Sequence, residues 1–231
     1  MELAVLQQLQ SALRKGNWQV TVALYQDHTT PKAQVLQVWP RLHEDGIFGL
    51  AIDLGSTTVA AHLTDLQTGA VLASSGVMNP QIRFGEDLMS RVSYAMMNSG
   101  GDQEMTVAVR EAINGLADDL AKQIGCGKAQ LLEVVFVCNP VMHHLLLGID
   151  PVELGQAPFA LATSDSLSLR AADLDLTALI PAVRCYILPC ISGHVWSDAV
   201  ADALSKEPGT SEDLVLILDV VPNSQILLGN L

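Results

Sequence analysis

One segment, residues 49–66, constrains the fold of this chain more than any other. It reads Gly-Leu-Ala-Ile-Asp-Leu-Gly-Ser-Thr-Thr-Val-Ala-Ala-His-Leu-Thr-Asp-Leu. An apolar run carries one acid, Asp53, and is followed by a glycine, hydroxyl residues and a second run of β-forming residues. Two such runs on either side of a glycine predict two strands joined by a tight turn. The segment therefore predicts a β-hairpin that holds an acid and several hydroxyl groups at its bend.

The polar groups at this bend suit a phosphate and its cation. Gly55 allows the backbone to turn sharply and allows a ligand to approach closely. Backbone N–H groups and the hydroxyls of Ser56, Thr57 and Thr58 can donate to phosphate oxygens. Asp53 cannot face a phosphate without a cation between them, so the acid indicates Mg²⁺. The alternative is an ordinary hairpin whose polar tip makes only its own turn hydrogen bonds.

Composition and charge exclude several classes of protein. The chain has 231 residues, of which 49% are hydrophobic and 16% charged, as in a folded globular protein. A net charge of −13 argues against a nucleic-acid partner, because such proteins concentrate Lys and Arg. No signal peptide and no apolar run long enough to span a membrane is visible, so we expect a cytoplasmic protein without a membrane partner. The four cysteines do not have the spacing of an iron–sulfur or zinc motif.

The pattern along the chain predicts an α/β protein in three parts. We interpret residues 1–46 as the tail of a small α+β region, 47–205 as a first lobe with a connecting segment, and 206–231 as the first strands of an incomplete second lobe. The chain ends directly after the strand-like residues 226–228, which predicts a fragment that stops inside a fold. The predicted helices cover 2–15, 86–97, 103–124, a segment from Pro140 to about Gly148, and 198–204. The predicted strands cover 18–25, 35–39, 47–54, 57–65, 70–77, 131–137, 184–188 and 214–218.

The pattern of apolar strand, acid and loop occurs twice, at Asp53 and again at Asp219. This repetition resembles the actin-like ATPase (ASKHA) superfamily, whose two RNase H-like lobes each offer a strand–Asp–loop–strand phosphate clamp. Residues 50–58 look like its first phosphate motif. Within the superfamily the chain is most similar to the reductive activators of corrinoid-dependent enzymes. The segments that carry this resemblance are 79–87 (NPQIRFGED), 90–95 (SRVSYA), Asn139, 142–148 (MHHLLLG), 155–159 (GQAPF) and 188–194 (LPCISGH).

The resemblance implies an RNase H-like, actin-like ATPase lobe that uses ATP and Mg²⁺ to help return a corrinoid from Co(II) to Co(I). The implied partners are a corrinoid protein or methyltransferase and an electron-donating iron–sulfur domain; the cysteines of that domain are not in this sequence, and a homodimer is left open. Asp53 is then expected to hold Mg²⁺ through water. The implied catalytic residues are Asp53, Asp198 and Asp219, and the implied cofactor-binding residues are Gly55, Ser56, Thr57, Thr58, Asn139 and Asn223.

The sequence departs from the family's pattern in the second half. The second phosphate loop of the family reads Asp-x-Gly-Thr-Asn, whereas residues 219–223 here read Asp-Val-Val-Pro-Asn. Valine hinders close access of a phosphate to the backbone, and Pro222 removes an N–H donor. Trp196 stands where the family tends to have glycine. These changes favour an alternative, a degenerate module that keeps the fold and its partner without hydrolysing ATP; a small-molecule kinase of the same superfamily is a further alternative.

Asp198 and the adjacent residues His143 and His144 each have a structural alternative. Asp198 begins a predicted helix, so its carboxylate either caps that helix or positions a catalytic water, and one side chain can do both. His143 and His144 adjoin an apolar helix, on which adjacent side chains point in different directions. We therefore predict structural histidines here and not a metal site.

Overall fold

The computed structural model describes residues 3–26, 33–190, 201, 215–219 and 225–229. The first unit consists of helix α1 (Leu3–Lys15) and an antiparallel pair of strands, β1 (Val20–Tyr25) and β2 (Gln34–Pro40). Val5 and Ala12 of the amphipathic helix pack with Val38 of β2 in a small core. Apolar residues three and four apart on α1 produce this one-sided burial.

The main unit is a six-stranded mixed sheet with the order β5-β4-β3-β6-β8-β7. Strands β3, β4 and β5 are antiparallel neighbours, β6 and β8 run parallel to β3, and β7 is an antiparallel edge. The strands are β3 (Phe48–Leu54), β4 (Thr58–Asp65), β5 (Val71–Met78), β6 (Leu131–Cys138), β7 (Leu167–Arg170) and β8 (Arg184–Ile187). The helices between them are α2 (Leu88–Met97), α3 (Gly101–Ile124) and α4 (Pro140–Leu147).

Three antiparallel strands followed by two parallel ones form an RNase H-like sheet, so the predicted fold class is confirmed. Strands β9 (Val215–Asp219) and β10 (Gln225–Gly229) form a separate antiparallel pair, and the division into two lobes stays a prediction. Strand β7 was not predicted, because it is only four residues long and lies in a polar segment. The helix predicted at 198–204 lies outside the described residues apart from position 201.

Burial alternates along β3 and decides which face of the sheet is available to a ligand. Leu50, Ile52 and Leu54 are buried in the core, whereas Ala51 and Asp53 between them are exposed. Successive side chains of a strand point to opposite faces, so the two faces of β3 differ in solvent access. The core against the buried face includes residues from α3 and the strands, among them Met105, Val109, Ile113, Leu116, Leu120, Leu63, Val134 and Phe136.

A search of the described helices finds none whose length and hydropathy would suit a membrane span.

Because the two faces of β6 differ in burial, we predict that shortening a side chain lowers the free energy of unfolding by an amount that depends on its face. Phe136 is fully buried and Val135, its neighbour on the other face, is only partly buried. We expect Phe136→Ala to lower the free energy of unfolding by about 3–5 kcal/mol, because it removes apolar burial and leaves a cavity. The matched variant Val135→Ala should cost clearly less. Urea denaturation of both variants checks this, and equal losses would contradict the assignment of the two faces.

Candidate functional site

The connection between β3 and β4 is the tight turn that the sequence predicts. Strand β3 ends at Leu54 and β4 begins at Thr58, which leaves residues 55–57 as the turn. A Cβ atom on Gly55 would lie 2.7 Å from the carbonyl oxygen of Thr58. Contacts this short do not occur between real Cβ atoms and backbone oxygens, so a side chain at Gly55 would force the turn to open. The glycine is needed because the chain approaches itself closely here.

Asp53 lies beside this turn on the accessible face of the sheet. Its carboxylate is on the exposed side of β3, and its register neighbours are Ala60 on β4 and Val137 on β6. Gly76 follows as the partner of Ala60 on β5, so the neighbours on that side of the acid are small. Thr58 shares this face because it lies two residues before Ala60 on the same strand. The structure therefore brings Asp53 and Thr58 to one face next to the 55–57 turn.

All three carbonyl groups of the turn accept hydrogen bonds from two buried residues, Asn79 and Arg91, of the segment 79–91. The side-chain Nδ2 of Asn79 donates to the Gly55 carbonyl at 2.8 Å, and its backbone N–H donates to the Thr57 carbonyl at 2.8 Å. The guanidinium Nη2 of Arg91 donates to the Ser56 carbonyl. Asn79 and Arg91 are both 0% exposed. The conformation of the turn is therefore fixed from its buried side.

This arrangement decides where the N–H groups of the turn point. In a planar trans peptide the C=O of one residue and the N–H of the next point in opposite directions. Because the carbonyls of residues 55–57 point to Asn79 and Arg91, the N–H groups of residues 56–58 point away from them. Successive N–H groups on one side of a turn form a concave site for an anion. The N–H groups of residues 56–58 therefore share the side of the turn that faces away from Asn79 and Arg91, and their contact with a phosphate stays a prediction.

Asn139 lies at the same edge of the sheet, where its side chain caps a helix. Strand β6 ends at Cys138, opposite Leu54 of β3, and Asn139 follows directly. The Asn139 Oδ1 accepts a hydrogen bond from the Met142 N–H at 2.9 Å and so begins α4. Its role in binding a cofactor stays a prediction.

The other predicted site residues lie at or beyond the limits of the described chain. Asp219 is the last residue of β9, where it pairs with Gln225 of β10, and only its backbone is described. Asp198 and Asn223 lie outside the described residues, as do Val221, Pro222 and Trp196. Their proposed roles remain predictions.

Sequence reasoning placed Asn79 and Arg91 only within segments that carry the family resemblance and did not predict that they hold the turn. The spacing of apolar residues gave a signal for Arg91. Leu88 lies three residues before it, Val92 one residue after it and Ala95 four residues after it. This spacing places Arg91 on the apolar face of α2, where an arginine needs partners. The partners themselves are remote in sequence, since Arg91 and the Ser56 carbonyl are 35 residues apart.

The two histidines of α4 differ in their surroundings. His144 is structural, as predicted: its Nδ1 donates to the Pro140 carbonyl at 2.9 Å and its Nε2 accepts from the Ala162 N–H at 3.1 Å. His143 is 0% exposed, and within the described structure neither of its ring nitrogens has a hydrogen-bond partner. Burial and the adjacent His144 lower the pKa of His143 to about 4. His143 is therefore buried in its neutral form.

An RNase H-like sheet whose first hairpin presents an acid and an outward-facing turn defines the lobe of an actin-like protein. Comparison with known families is more specific. The model of the RACo middle region matches residues 48–208, and the model of the RACo linker region matches residues 1–45. The chain therefore belongs to the RACo family, and the resemblance found in the sequence is confirmed.

Two relatives support this assignment. The corrinoid activation enzyme RamQ of Eubacterium limosum is 29% identical over 187 residues, which cover 81% of this chain and 31% of RamQ. A solved structure of a reductive activator for corrinoid, iron-sulfur protein is 31% identical, with a TM-score of 0.87 over 99% of this chain and 36% of that one. The chain thus spans about a third of the length of these two relatives.

Because His143 is buried in its neutral form, we predict that the folded chain loses stability in acid. The unfolded chain binds a proton at His143 near its ordinary pKa of 6.5, whereas the folded chain does so only near pH 4. Stability from this residue is complete above pH 6.5 and is lost as the pH falls toward 4, by roughly 2–3 kcal/mol. We expect His143→Leu to flatten the dependence in this window and to keep stability at pH 7, because the variant buries no unpaired nitrogen.

Urea denaturation at a series of pH values between 4 and 7.5 measures this effect. The exposed His62 provides the matched control, and His62→Leu should retain the slope of the unchanged protein. A His143→Leu variant with that same slope would contradict the neutral burial of His143.

Proposed function

We propose that this chain binds Mg·ATP through Asp53 and the 55–57 turn, as the nucleotide-binding part of a protein that returns a corrinoid from Co(II) to Co(I). One observation carries the proposal. Three consecutive carbonyls of the turn are held by the buried Asn79 and Arg91, which directs the N–H groups of residues 56–58 outward near an exposed carboxylate.

The proposed contacts follow from the chemistry of these groups. The N–H groups and hydroxyls of Ser56, Thr57 and Thr58 donate to the β- and γ-phosphates, with Gly55 keeping the turn tight. Asp53 holds Mg²⁺ through water, since Mg²⁺ retains several waters and usually takes one or two carboxylates together with substrate phosphates. This chemistry relies on positioning and on neutralising charge.

Four further residues complete the proposed site. Asp198 positions the attacking water and Asp219 supplies a second acid near the metal. Asn139 and Asn223 contact the bound nucleotide. These four roles come from the family resemblance and not from contacts in the structure.

The activator role is proposed from the relatives, whose names describe corrinoid activation and a reductive activator. The partner is then a corrinoid protein or methyltransferase, and the electron comes from an iron–sulfur domain. ATP acts on conformation and on affinity for the partner, because the metal centres carry the electron. We place the protein in the cytoplasm.

A second candidate function is a module that keeps the fold and the partner surface without hydrolysing ATP. The sequence of the second clamp favours it, since Val221 and Pro222 stand where the family has glycine and threonine. In this case the altered second clamp does not support hydrolysis of ATP.

Removing the carboxylate of Asp53 tests the first proposal. We expect Asp53→Asn to weaken Mg·ATP binding at least 10-fold, about 1.4 kcal/mol, because the amide does not attract the hydrated cation. Binding of ATP in excess EDTA should not weaken and is expected to tighten, because the turn is intact and the variant removes a negative charge that repels a metal-free phosphate. Isothermal titration calorimetry with and without Mg²⁺ measures both affinities.

The control for this experiment is Asp119→Asn, which removes an equal charge from an exposed ion pair with Lys122 on α3. This variant should bind Mg·ATP as the unchanged protein does. Equal affinity and equal Mg²⁺ dependence in Asp53→Asn would refute the proposed role of Asp53.

Restoring the family pattern in the second clamp tests whether the loop 219–223 contacts the phosphates. We expect the double variant Val221→Gly, Pro222→Thr to bind Mg·ATP more tightly and to hydrolyse it faster, because it regains an N–H donor, a hydroxyl and access to the backbone. A coupled assay for ADP release measures the rate. If neither affinity nor rate changes, the loop does not contact the phosphates.

A further inference from the structure

Arg91 is a buried cation whose described hydrogen-bond partners are all neutral. Its Nε donates to the Gly85 carbonyl at 3.1 Å, and its Nη1 lies 3.1 Å from the Met142 sulfur and 3.5 Å from the Gln81 Oε1. Its Nη2 donates to the Ser56 carbonyl. The side chain is 0% exposed. A fixed positive charge therefore lies directly behind the 55–57 turn.

This charge is retained at neutral pH. Burial lowers the pKa of Arg91 to about 10, and the carboxylate of Asp87 partly opposes that effect. Asp87 is itself exposed, and its carboxylate accepts hydrogen bonds from the N–H and hydroxyl of Ser90. A buried cation is costly unless a negative group compensates it. The described structure around Arg91 supplies carbonyl dipoles and an exposed acid, so a bound anion would add compensation.

The Ser56–Thr57 peptide connects this charge to the outer side of the turn. The guanidinium donates to the carbonyl oxygen of the peptide, and the N–H of the same peptide belongs to Thr57 and points the opposite way. A hydrogen bond to the carbonyl polarises the peptide and makes its N–H a stronger donor. Arg91 thus strengthens one specific donor of the turn although it never reaches the outer face.

We propose that Arg91 is a positioning residue for an anion at the 55–57 turn, where it fixes the Ser56 carbonyl and polarises the Thr57 N–H toward a phosphate group of a triphosphate. This inference rests on the proposed function, and it adds to the proposed site a residue that does not itself touch the ligand. Asn79 fixes the two flanking carbonyls in the same way but carries no charge.

The test compares the full chain with Arg91→Met and Arg91→Lys. The matched controls are Arg83→Met and Arg83→Lys, since Arg83 belongs to the same segment but is exposed and lies over the Phe84 ring. The first readout is the ¹⁵N and ¹H chemical shift of the Thr57 amide without ligand. The second is the affinity for Mg·tripolyphosphate by calorimetry, which needs no adenosine site.

We expect Arg91→Met to move the Thr57 amide signals and to weaken Mg·tripolyphosphate binding at least 10-fold. Arg91→Lys should recover part of the affinity, because it returns the charge without the same geometry. The Arg83 variants should match the unchanged protein. If Arg91→Met does not fold, Arg91→Lys is compared with Asn79→Asp, which loses the donor to Gly55.

Two results overturn the inference, and they are distinguishable. If the unchanged protein binds Mg·tripolyphosphate and a folded Arg91 variant binds it equally, or keeps the same Thr57 signals, Arg91 has no positioning role while the proposed function stands. If the unchanged protein binds neither Mg·tripolyphosphate nor Mg·ATP, the proposed function fails and this inference fails with it.

Discussion

The site depends on one set of interactions, the hydrogen bonds by which Asn79 and Arg91 hold the carbonyls of the first turn. These two residues are in turn fixed by the core, because Gln81 of the same segment donates to the Met105 carbonyl of α3 at 2.8 Å and Arg91 contacts Met142 of α4. The turn is thus tied to two helices that pack on the sheet. A set of donors held in this way does not have to reorganise when a negatively charged group binds. Electrostatic stabilisation depends on this property.

The sheet topology explains why the functional groups meet at this edge. Strands β3 and β6 are parallel neighbours and end together, so the turn after β3 and the start of α4 after β6 lie side by side. Ligands of open α/β sheets bind at the carboxyl ends of strands for this reason. Strand alternation then exposes Asp53 while its neighbours Ile52 and Leu54 enter the core. An acid and a set of N–H donors at one edge are the elements from which a phosphate site with a metal is built.

Local pattern was enough to predict most of the fold and the hairpin that carries the candidate site. The hairpin around Gly55, the long α3 and the apolar β6 each follow from spacing of two or 3.6 residues in the sequence. Three features did not follow, for different reasons. Strand β7 is short and is held only at the sheet edge by β8. The contact of Arg91 with Ser56 joins residues 35 apart, and the unpaired burial of His143 depends on how α4 packs. Each is a consequence of tertiary structure.

The most direct measurement of the central claim is a titration of the ¹⁵N-labelled chain with Mg·ATP, followed by amide shifts. The account predicts that the largest changes occur at the amides of Ser56, Thr57 and Thr58 and at Asp53. A separate surface groove of about 590 Å³, lined by residues that include Arg83, Phe84 and Val107, offers an internal comparison. Changes confined to that groove, or no change at residues 53–58, would contradict the claim that the first turn is where the nucleotide phosphates bind.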